Sequence, residues 1–263
     1  MSLFVRPKLQ AGFNHILPQG SGGLEFVDFG VLVLPKGKTH EHESKDREVG
    51  LVVISGKARF SADGTAETTI GERKDPFEAR AWSVFIPPGN SYRLEAVTDC
   101  EIAVASAPSS KKGDVAVLDP STVKSKSVGR DNWRRDVYDC IADQVDAEKL
   151  VIGETINPPG NWSSYPPHRH DEDNPPHEVD MEEVYYFKVD PPDGFGMQRI
   201  YTLDRSLDEA YVIEQNNAVA IAEGYHPVAA AGGYKVYYLW ILAGRQRVLA
   251  PCDDPAHAWV KEG

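Results

Sequence analysis

The sequence predicts an all-β protein made of two small β-barrels in tandem. Short runs of β-branched and aromatic residues alternate with clusters of Gly, Pro, Asn and Asp, a pattern typical of sandwiches and barrels. Little helical periodicity interrupts these runs in the first half. The second half repeats a set of His and Glu positions of the first half, in the same order and at similar spacing, as an internal duplication would. A chain of 263 residues is long enough for two small domains.

The predicted strands follow a start that we expect to be irregular, residues 1–23. Those of the first half are residues 25–34, 48–55, 57–61, 81–86, 92–96 and 100–105. Those of the second half are residues 133–141, 150–157, 184–187, 197–203, 210–213, 218–222 and 234–243. Turn residues separate the runs. The C-terminal tail, residues 247–263, contains several Pro and Asp residues, and we expect it to pack on the surface.

A change in composition marks the boundary between the two halves. Residues 106–129 are rich in Ser and Lys and predict a connector. The alternative is an ordered strand at residues 115–118 that pairs across the domains. We predict a first domain over residues 1–115 and a second domain over residues 116–263.

Composition and charge argue against several classes of function. The formal net charge is −12 and the sequence pI is near 5.1, whereas a nucleic-acid-binding protein needs a basic patch. The same charge disfavours an anionic membrane surface as a partner. Three widely spaced cysteines form no disulfide framework, which fits a reducing compartment. Without an apolar signal core or a run of membrane-spanning length, the sequence predicts a cytoplasmic protein.

One histidine-rich stretch, residues 164–189, carries the prediction of function. It contains His168 and His170, which are two residues apart and therefore point to the same face of a strand. A pair of glutamates follows at the start of an aromatic strand. Farther along the chain, His226 lies in a predicted tight turn. Three imidazoles and one carboxylate that converge in this way predict a site for a divalent transition metal.

The spacing leaves the choice between the two glutamates open, because the insert at residues 171–181 is long. We prefer Glu183 to Glu182, since Glu183 directly precedes the strand. By strand alternation it would share the inward face with Tyr185 and Phe187. The alternative is that both glutamates are solvated charges at the strand entry and that the His pair caps a loop.

The first half contains an incomplete copy of this arrangement. His40, His42 and Glu48 have the corresponding residue types, but Tyr92 stands where the third His would be. We therefore expect the first barrel to bind no metal and to serve as a structural or dimerising copy. The order of His-x-His, Glu and Gly-turn-His resembles the two sequence motifs of cupins. This resemblance implies a bicupin, with two tandem double-stranded β-helix (jelly-roll) barrels.

A more specific resemblance rests on four segments, residues 164–171, 182–186, 194–202 and 224–228. They look like the 5-deoxy-glucuronate isomerase family of inositol catabolism. That family is similar to 5-keto-4-deoxyuronate isomerase, a metal-bearing cupin. The likeness covers nearly the whole chain and is loose before residue 110. Carried over to this sequence, the zinc ligands of the related isomerase are His168, His170, Glu183 and His226.

The resemblance implies a metal-dependent aldose–ketose isomerase that converts 5-deoxy-D-glucuronate to 5-dehydro-2-deoxy-D-gluconate in myo-inositol catabolism. The reaction passes through an enediolate, whose charge a metal can stabilise. A base must shuttle the proton. Tyr185 is a candidate by parity, with Tyr201 and Tyr238 as others, although aromatic packing would also explain each of them. Arg199 could clamp the substrate carboxylate with its fork of donors, or could pair with an acid on the surface.

Several alternatives remain open at the level of the sequence. The ligand types allow Zn, Fe(II), Mn, Ni or Co, and the resemblance favours Zn. Four protein ligands fill a tetrahedral zinc, so a catalytic site would be five- or six-coordinate. An iron-dependent cupin dioxygenase could use the same ligands, and a sugar- or metal-binding bicupin would need no catalysis. We expect a small uronate-type sugar as the substrate and a homo-oligomer as the assembly.

Overall fold

The structure is all-β, as the sequence predicts. The computed structural model describes residues 2–262. The strands of the first half are β1 (Phe4–Val5), β2 (Gly12–Leu17), β3 (Asp28–Leu34), β4 (Thr39–Glu43), β5 (Arg47–Ser55), β6 (Ala58–Ala62), β7 (Thr68–Ile70), β8 (Ser83–Ile86), β9 (Ser91–Ala96), β10 (Cys100–Pro108) and β11 (Ala116–Leu118).

The second half contributes a similar number of strands. They are β12 (Lys124–Val128), β13 (Arg135–Ile141), β14 (Val151–Asn157), β15 (Trp162–Ser163), β16 (His168–Arg169), β17 (Glu182–Asp190), β18 (Gly196–Tyr201), β19 (Asp208–Ile213), β20 (Ala218–Ile221), β21 (Val228–Ala230), β22 (Lys235–Ala243) and β23 (Cys252–Asp253). The helices of residues 2–262 are three short 3₁₀ segments, Ser21–Gly23, Asp131–Trp133 and Ala258–Lys261. None of them has the length and apolar character needed to cross a membrane.

Each half forms one large and one small antiparallel sheet. In the first barrel, a six-stranded sheet with the order β11-β8-β5-β10-β3-β2 accompanies a four-stranded sheet with the order β4-β9-β6-β7. In the second barrel, the orders are β1-β20-β17-β22-β14-β13-β12 and β15-β21-β18-β19. Strands β16 and β23, both from the second half of the chain, form a separate two-stranded sheet. The predicted bicupin architecture is confirmed by this arrangement and by the fold comparison given below.

The structure has three apolar cores, one inside each barrel and one between the two barrels. Leu51, Phe60 and Leu94 belong to the core of the first barrel, and Phe187 and Ile213 belong to the core of the second. A third core joins the outer faces of the two large sheets; its members include Phe29, Val52, Ala103, Ile152, Tyr186, Leu239 and Ile241. The two large sheets therefore pack back to back, and burial of their apolar faces stabilises the pair as one unit.

Gly50 shows how closely the two large sheets approach each other. A Cβ atom at this position would lie 2.4 Å from Cδ1 of Ile152 in the facing sheet and 3.1 Å from Cδ1 of Ile141. Real Cβ atoms do not come that close to another carbon, so a side chain here would push the sheets apart. The absence of a side chain is thus part of the packing between the barrels.

A reciprocal pair of buried glutamates also links the two barrels. The Glu182 carboxylate, at the start of β17, accepts backbone N–H groups of Glu25, Phe26 and Val27 at 2.5, 2.8 and 2.5 Å. At the start of β5, Glu48 makes the mirrored contact: it accepts backbone N–H groups at 2.7–2.8 Å from the residues Glu148, Lys149 and Leu150. Each barrel thus reaches into a loop of the other through charge-assisted hydrogen bonds.

The termini and the connector differ from the sequence-based expectations. Residues 1–23 are not irregular throughout, because β1 and β2 lie there, and β1 pairs with β20 of the second barrel. The predicted connector is ordered, and β11 within it pairs with β8 of the first barrel. The pairing of β1 was not expected, whereas β11 corresponds to the alternative of an ordered strand at residues 115–118. By strand pairing, the change from one barrel to the other falls between Leu118 and Lys124.

Candidate metal centre

Two imidazoles and one carboxylate meet inside the second barrel. The candidate ligand atoms of His170, Glu183 and His226 all lie within 4.8 Å of one another, and all three residues are buried. Oε2 of Glu183 is 3.3 Å from Nε2 of His170 and 3.3 Å from Nε2 of His226. A buried carboxylate between two ring nitrogens is a donor set that a divalent transition metal accepts.

His168 lies beside this cluster rather than within it. Its ring centroid is 5.0 Å from that of His226 and 6.4 Å from that of His170. The residue is only partly buried, and it lines the same cavity as Glu183. His168 is therefore placed at the rim of the cluster, beside the rings of His170 and His226.

The backbone fixes which nitrogen of each buried imidazole faces the centre. Nδ1 of His170 is 2.5 Å from the carbonyl oxygen of Met181, and Nδ1 of His226 is 2.9 Å from that of Gly224. A carbonyl only accepts hydrogen bonds, so each Nδ1 carries a proton, and in the neutral form of each ring Nε2 presents a lone pair. Nε2 of His226 is buried and has no hydrogen-bond partner within residues 2–262. A buried acceptor of this kind suits the binding of a cation.

The local electrostatics differ among the three imidazoles. Burial, and then the neighbouring His170, lower the pKa of His168 to about 3. Burial also lowers the pKa of His226 to about 3, although the Glu183 carboxylate opposes it. Burial acts in the same direction on His170, but the hydrogen bond and charge of Glu183 outweigh it and raise the pKa of that ring. Two of the rings are thus held neutral, the state in which an imidazole binds a metal.

Gly224 shapes the turn that presents His226. Its backbone has a φ of +91°, a conformation that residues with a side chain rarely adopt, and a Cβ atom would lie 2.8 Å from the carbonyl oxygen of Tyr201. Its N–H donates to Oδ2 of Asp171 at 2.6 Å, which ties the turn to the acidic insert. The glycine therefore allows the close approach that buries the third imidazole.

The cluster opens into a cavity of about 250 Å³ above the inner face of the seven-stranded sheet. Its lining residues are Lys126, Val128, Arg135, Val137, Asp139, Thr155, Ser164, His168, His170, Glu183, Tyr185, Tyr238, Trp240, Leu242, Leu249 and Pro251. Most of them alternate along neighbouring strands: Val137 pairs with Thr155, Thr155 with Tyr238, and Tyr185 with Trp240. The sheet thus supplies the floor of the cavity.

Alternation along β17 separates the two candidate glutamates. Glu183 and Tyr185 face the cavity, whereas Glu182 points to the first barrel and binds its backbone. Glu182 is therefore neither a ligand candidate nor a solvated charge, because its carboxylate is buried in the contact between the barrels. The structure supports Glu183 as the ligand candidate, as the parity of the strand predicts.

Tyr185 is the predicted catalytic residue that the structure places at the cluster. Its hydroxyl is 2.8 Å from Oγ of Ser164, and its ring lies 5.8 Å from that of His226. The ring of Tyr238 packs 4.4 Å from it. Burial, followed by the charge of Glu183, raises the pKa of Tyr185 well above its usual range. The hydroxyl therefore stays protonated near neutral pH and acts as a donor, not as a phenolate base.

Arg199 and Tyr201 do not reach the cavity, and this corrects the expected carboxylate clamp and one expected proton carrier. Arg199 lies on the outer face of β18 and forms a bidentate pair with Asp208, with two contacts of 2.7 Å. The Tyr201 hydroxyl donates to Oδ2 of Asp254 at 2.7 Å and so holds the C-terminal segment. The alternation of β18 explains the first error, since Gln198 and Ile200 occupy its inner face.

The sequence-based prediction missed several polar residues of the cavity, among them Arg135 and Ser164. Both are buried, and Arg135 is the cavity's only arginine among the described residues. Alternation along β13 places Arg135, Val137 and Asp139 on one face, which the predicted strand at 133–141 already implied. Which face looks into the barrel depends on pairing with distant strands, so the sequence alone did not select them.

The first barrel contains the remains of an equivalent site. His40, His42 and Tyr92 lie together, with ring centroids 5.8–6.3 Å apart. Strand pairing shows that the counterpart of Glu183 is Val49 and not Glu48, because Val49 pairs with Ile86 as Glu183 pairs with Ile221. Our match of Glu48 with Glu183 was therefore displaced by one residue. The first barrel has an apolar residue at the carboxylate position, which disfavours a metal there.

Comparison with known sequences finds relatives over nearly the whole chain. A profile described as the KduI/IolB family matches residues 4–260. A protein of Geobacillus kaustophilus named 5-deoxy-glucuronate isomerase is 42% identical over 257 residues, which cover 97% of this chain and 93% of that protein. A protein of the same name from Bacillus subtilis (strain 168) is 36% identical over 250 residues and covers 94% of this chain and 92% of its own length.

Solved structures share the architecture. A crystal structure of an IolB-like protein from Salmonella typhimurium LT2 has a TM-score of 0.95 at 36% identity and covers 99% of this chain and 100% of that one. A variant of Bacillus subtilis oxalate decarboxylase has a TM-score of 0.66 at 11% identity and covers 96% of this chain and 80% of that one. The second likeness concerns the fold alone.

These observations define the protein's class and then its family. The fold and the cluster describe a bicupin whose second barrel contains buried imidazole and carboxylate groups beside a cavity. The chain belongs to the KduI/IolB family.

Proposed function

We propose that this protein is a metal-dependent 5-deoxy-glucuronate isomerase, which converts 5-deoxy-D-glucuronate to 5-dehydro-2-deoxy-D-gluconate in myo-inositol catabolism. Relatives of that name align with nearly the whole chain at 34–42% identity. The observation that carries the metal-dependent part is the buried cluster of His170, Glu183 and His226 next to the cavity. An aldose–ketose conversion consumes no oxidant, reductant or second substrate, because the substrate and product are isomers.

The residues of the cluster fit a divalent metal. Glu183 is buried between two imidazoles, and Nε2 of His226 has no hydrogen-bond partner in the part of the chain that the structure describes. With His168 at the rim, the proposed ligands are His168, His170, Glu183 and His226. A bound divalent ion would supply positive charge beside the sugar oxygens on which negative charge develops.

The chain's own residues would orient the sugar and move protons. During the isomerisation, one proton leaves C2 and one arrives at C1, while a hydroxyl proton passes from O2 to O1, so electrons and atoms balance within the sugar. Tyr185 keeps its proton and can donate a hydrogen bond to a sugar oxygen, and Ser164 holds its hydroxyl in place at 2.8 Å. Trp240 and Leu242 provide apolar parts of the cavity lining.

Three finer statements belong to the same proposal. We propose zinc as the metal, since three imidazoles and one carboxylate suit it. A cytoplasmic location is supported by the three cysteines, all of which are free. A homo-oligomer is supported by exposed large apolar side chains such as Trp162, Met197 and Val212. Sedimentation at micromolar concentration checks the last statement, and a single 29.0 kDa species would contradict it.

Product analysis without oxygen tests the proposed reaction. The purified protein is incubated with 5-deoxy-glucuronate under argon in deuterated water, and the sugar is followed by NMR. We expect the aldehyde signal to disappear with formation of a ketose, and solvent deuterium to enter the product if the transferred proton exchanges with solvent. A protein that consumes the sugar only when oxygen is present would be a dioxygenase instead.

A further inference from the structure

Arg135 is a buried cation in the cavity that has no carboxylate partner. Its exposed fraction is 9%, and it forms no ion pair with any acid of residues 2–262. The two acidic residues that line the cavity are engaged elsewhere: Asp139 lies 4.0 Å from Nζ of Lys126, and Glu183 faces the imidazoles. A buried charge without a partner is costly, so this position favours an anionic ligand.

The hydrogen bonds of Arg135 leave part of its guanidinium free. Nη1 donates to the carbonyl oxygens of Trp133 and Tyr165 at 3.3 and 3.0 Å, whereas Nε and Nη2 donate to no acceptor within the described residues. Two other half-buried arginines without ion pairs, Arg47 and Arg247, use Nε, Nη1 and Nη2 in hydrogen bonds. Arg135 thus keeps two donors available on one edge, which is the geometry that binds a carboxylate in bidentate fashion.

The position of Arg135 brings this free edge close to the reacting groups. It stands on the cavity face of β13, and its Tyr165 contact lies three residues before His168 in the chain. His168, Tyr185 and Tyr238 line the same cavity as Arg135. One end of a bound molecule could therefore meet the metal cluster while the other meets the guanidinium.

We propose that Arg135 binds the carboxylate of the sugar acid and thereby selects uronates over neutral aldoses. This inference rests on the proposed function, because it assigns one end of the same substrate. The paired donors hold the carboxylate, so that the aldehyde end of the sugar points toward Tyr185 and the ligand cluster. Asp139 pairs with Lys126. Among the described residues, Arg135 is therefore the unpaired charge of the cavity outside the ligand cluster.

The test compares two substrates and four proteins. The substrates are 5-deoxy-glucuronate and its carboxamide, which has the same shape without the charge. The proteins are the wild type, Arg135→Gln, Arg135→Lys and the control Arg59→Gln, which removes an exposed arginine of the first barrel that pairs with Glu95 at 2.7 Å. Metal content and thermal stability are measured for each protein, and kcat and KM are measured for each substrate.

We expect Arg135→Gln to lower kcat/KM for the acid by about 10- to 100-fold, mainly through KM, because a hydrogen-bonded charge pair is lost. The amide should be affected by less than about threefold, and Arg135→Lys should retain part of the preference for the acid. The control Arg59→Gln should match the wild type with both substrates.

Other outcomes separate this inference from the proposed function. An equal loss with acid and amide would show that Arg135 only supports the Tyr165 loop, and no loss with either would remove it from the site. Both results overturn the inference in an active isomerase and leave the proposed function intact. A wild type that isomerises neither substrate overturns both. If neither Arg135 variant folds, equal KM values for acid and amide in the wild type would still refute the inference.

Discussion

Glu182 and Glu183 are neighbours in the sequence, yet their side chains serve different parts of the molecule. Glu182 accepts three backbone N–H groups of the first barrel, whereas Glu183 stands between two imidazoles of the second. The alternation of β17 separates them. One strand therefore carries a contact between the barrels on one face and a candidate ligand on the other.

We predict that replacing Glu by Gln has opposite effects on metal binding and stability at the two positions. Glu183→Gln removes the charge of the candidate ligand, so bound metal should fall well below one per chain while the free energy of unfolding of the metal-free protein changes little. Glu182→Gln replaces an acceptor oxygen with a donor, which leaves a buried N–H unpaired. It should destabilise the fold by about 1–3 kcal/mol and keep the metal. Metal analysis and urea denaturation measure both properties, and equal metal loss in the two variants would contradict the assignment.

We predict that removing the Tyr185 hydroxyl lowers the reaction rate without lowering the metal content. Because its hydroxyl is protonated and lies at the cluster, Tyr185→Phe should lower kcat by about 10²- to 10⁴-fold if it assists proton transfer. Tyr211→Phe is the control, since the Tyr211 hydroxyl donates to Glu209 at an exposed position outside the cavity lining. Steady-state rates and metal content are compared, and a similar fall of kcat in both variants would count against the role of Tyr185.

At the scale of single residues, the sequence predicted side chains whose positions follow from local alternation. Glu183 and Tyr185 are two residues apart on one long strand, so one assignment fixes both. Arg135 depends on which face of β13 turns inward, and that is set by pairing with β14 and β22. Arg199 was assigned by chemistry alone, and its exposed pair with Asp208 shows that residue type is insufficient without the face of the strand.

The long strands of each large sheet were predictable because their apolar and aromatic runs are local features. The short strands were not, since each forms only against a distant partner. β16, which contains His168, pairs with β23 through His168–Asp253 and Arg169–Cys252. The tail was expected to pack on the surface, but Leu249 and Pro251 line the cavity and Asp254 is buried.

We therefore predict that a substitution in the C-terminal segment affects both the stability of the protein and the candidate metal centre. Asp254 accepts the Tyr201 hydroxyl at 2.7 Å and the N–H of Ala256 at 2.9 Å, so Asp254→Asn should destabilise the protein by about 1–2 kcal/mol. By loosening β23 it should also weaken metal binding through His168. Denaturation and metal titration measure the two effects.

Asp253→Asn provides the control for the neighbouring position. Asp253 pairs with Lys261 near the surface, and the loss of such a pair should change the free energy of unfolding by less than about 1 kcal/mol. Stronger destabilisation by Asp253→Asn than by Asp254→Asn would show that the surface pair, and not the buried contact with Tyr201, holds the segment.

On the scale of the whole molecule, an internal duplication explains why the two barrels resemble each other, and individual positions show where the two copies differ. The two large sheets pack back to back, and Glu48 and Glu182 make mirrored contacts between the barrels. A valine and a tyrosine occupy the positions of the carboxylate and the third imidazole in the first barrel. The sequence predicted the missing imidazole. It did not reveal the missing carboxylate, because the register of the two copies differs by one residue from our alignment.

The pairing of β1 with the second barrel also lay beyond the sequence. β1 completes the sheet of the second barrel, so the first residues of the chain support the barrel that contains the candidate metal centre. A two-residue strand has no local pattern that identifies its partner. The fold class was therefore predictable from periodicity, whereas the boundary between the barrels required the pairing of strands.

The central claim is that the imidazole–carboxylate cluster binds the metal on which isomerisation depends. The most direct measurement strips the wild-type protein with a chelator, restores Zn²⁺ in steps, and records both bound zinc and conversion of 5-deoxy-glucuronate in the absence of oxygen. We predict that activity is lost on stripping, rises in proportion to bound zinc and reaches its maximum at about one ion per chain, with Glu183→Gln remaining inactive at the same zinc concentrations. Full isomerase activity in the stripped protein, or activity that is indifferent to Glu183, would contradict the claim.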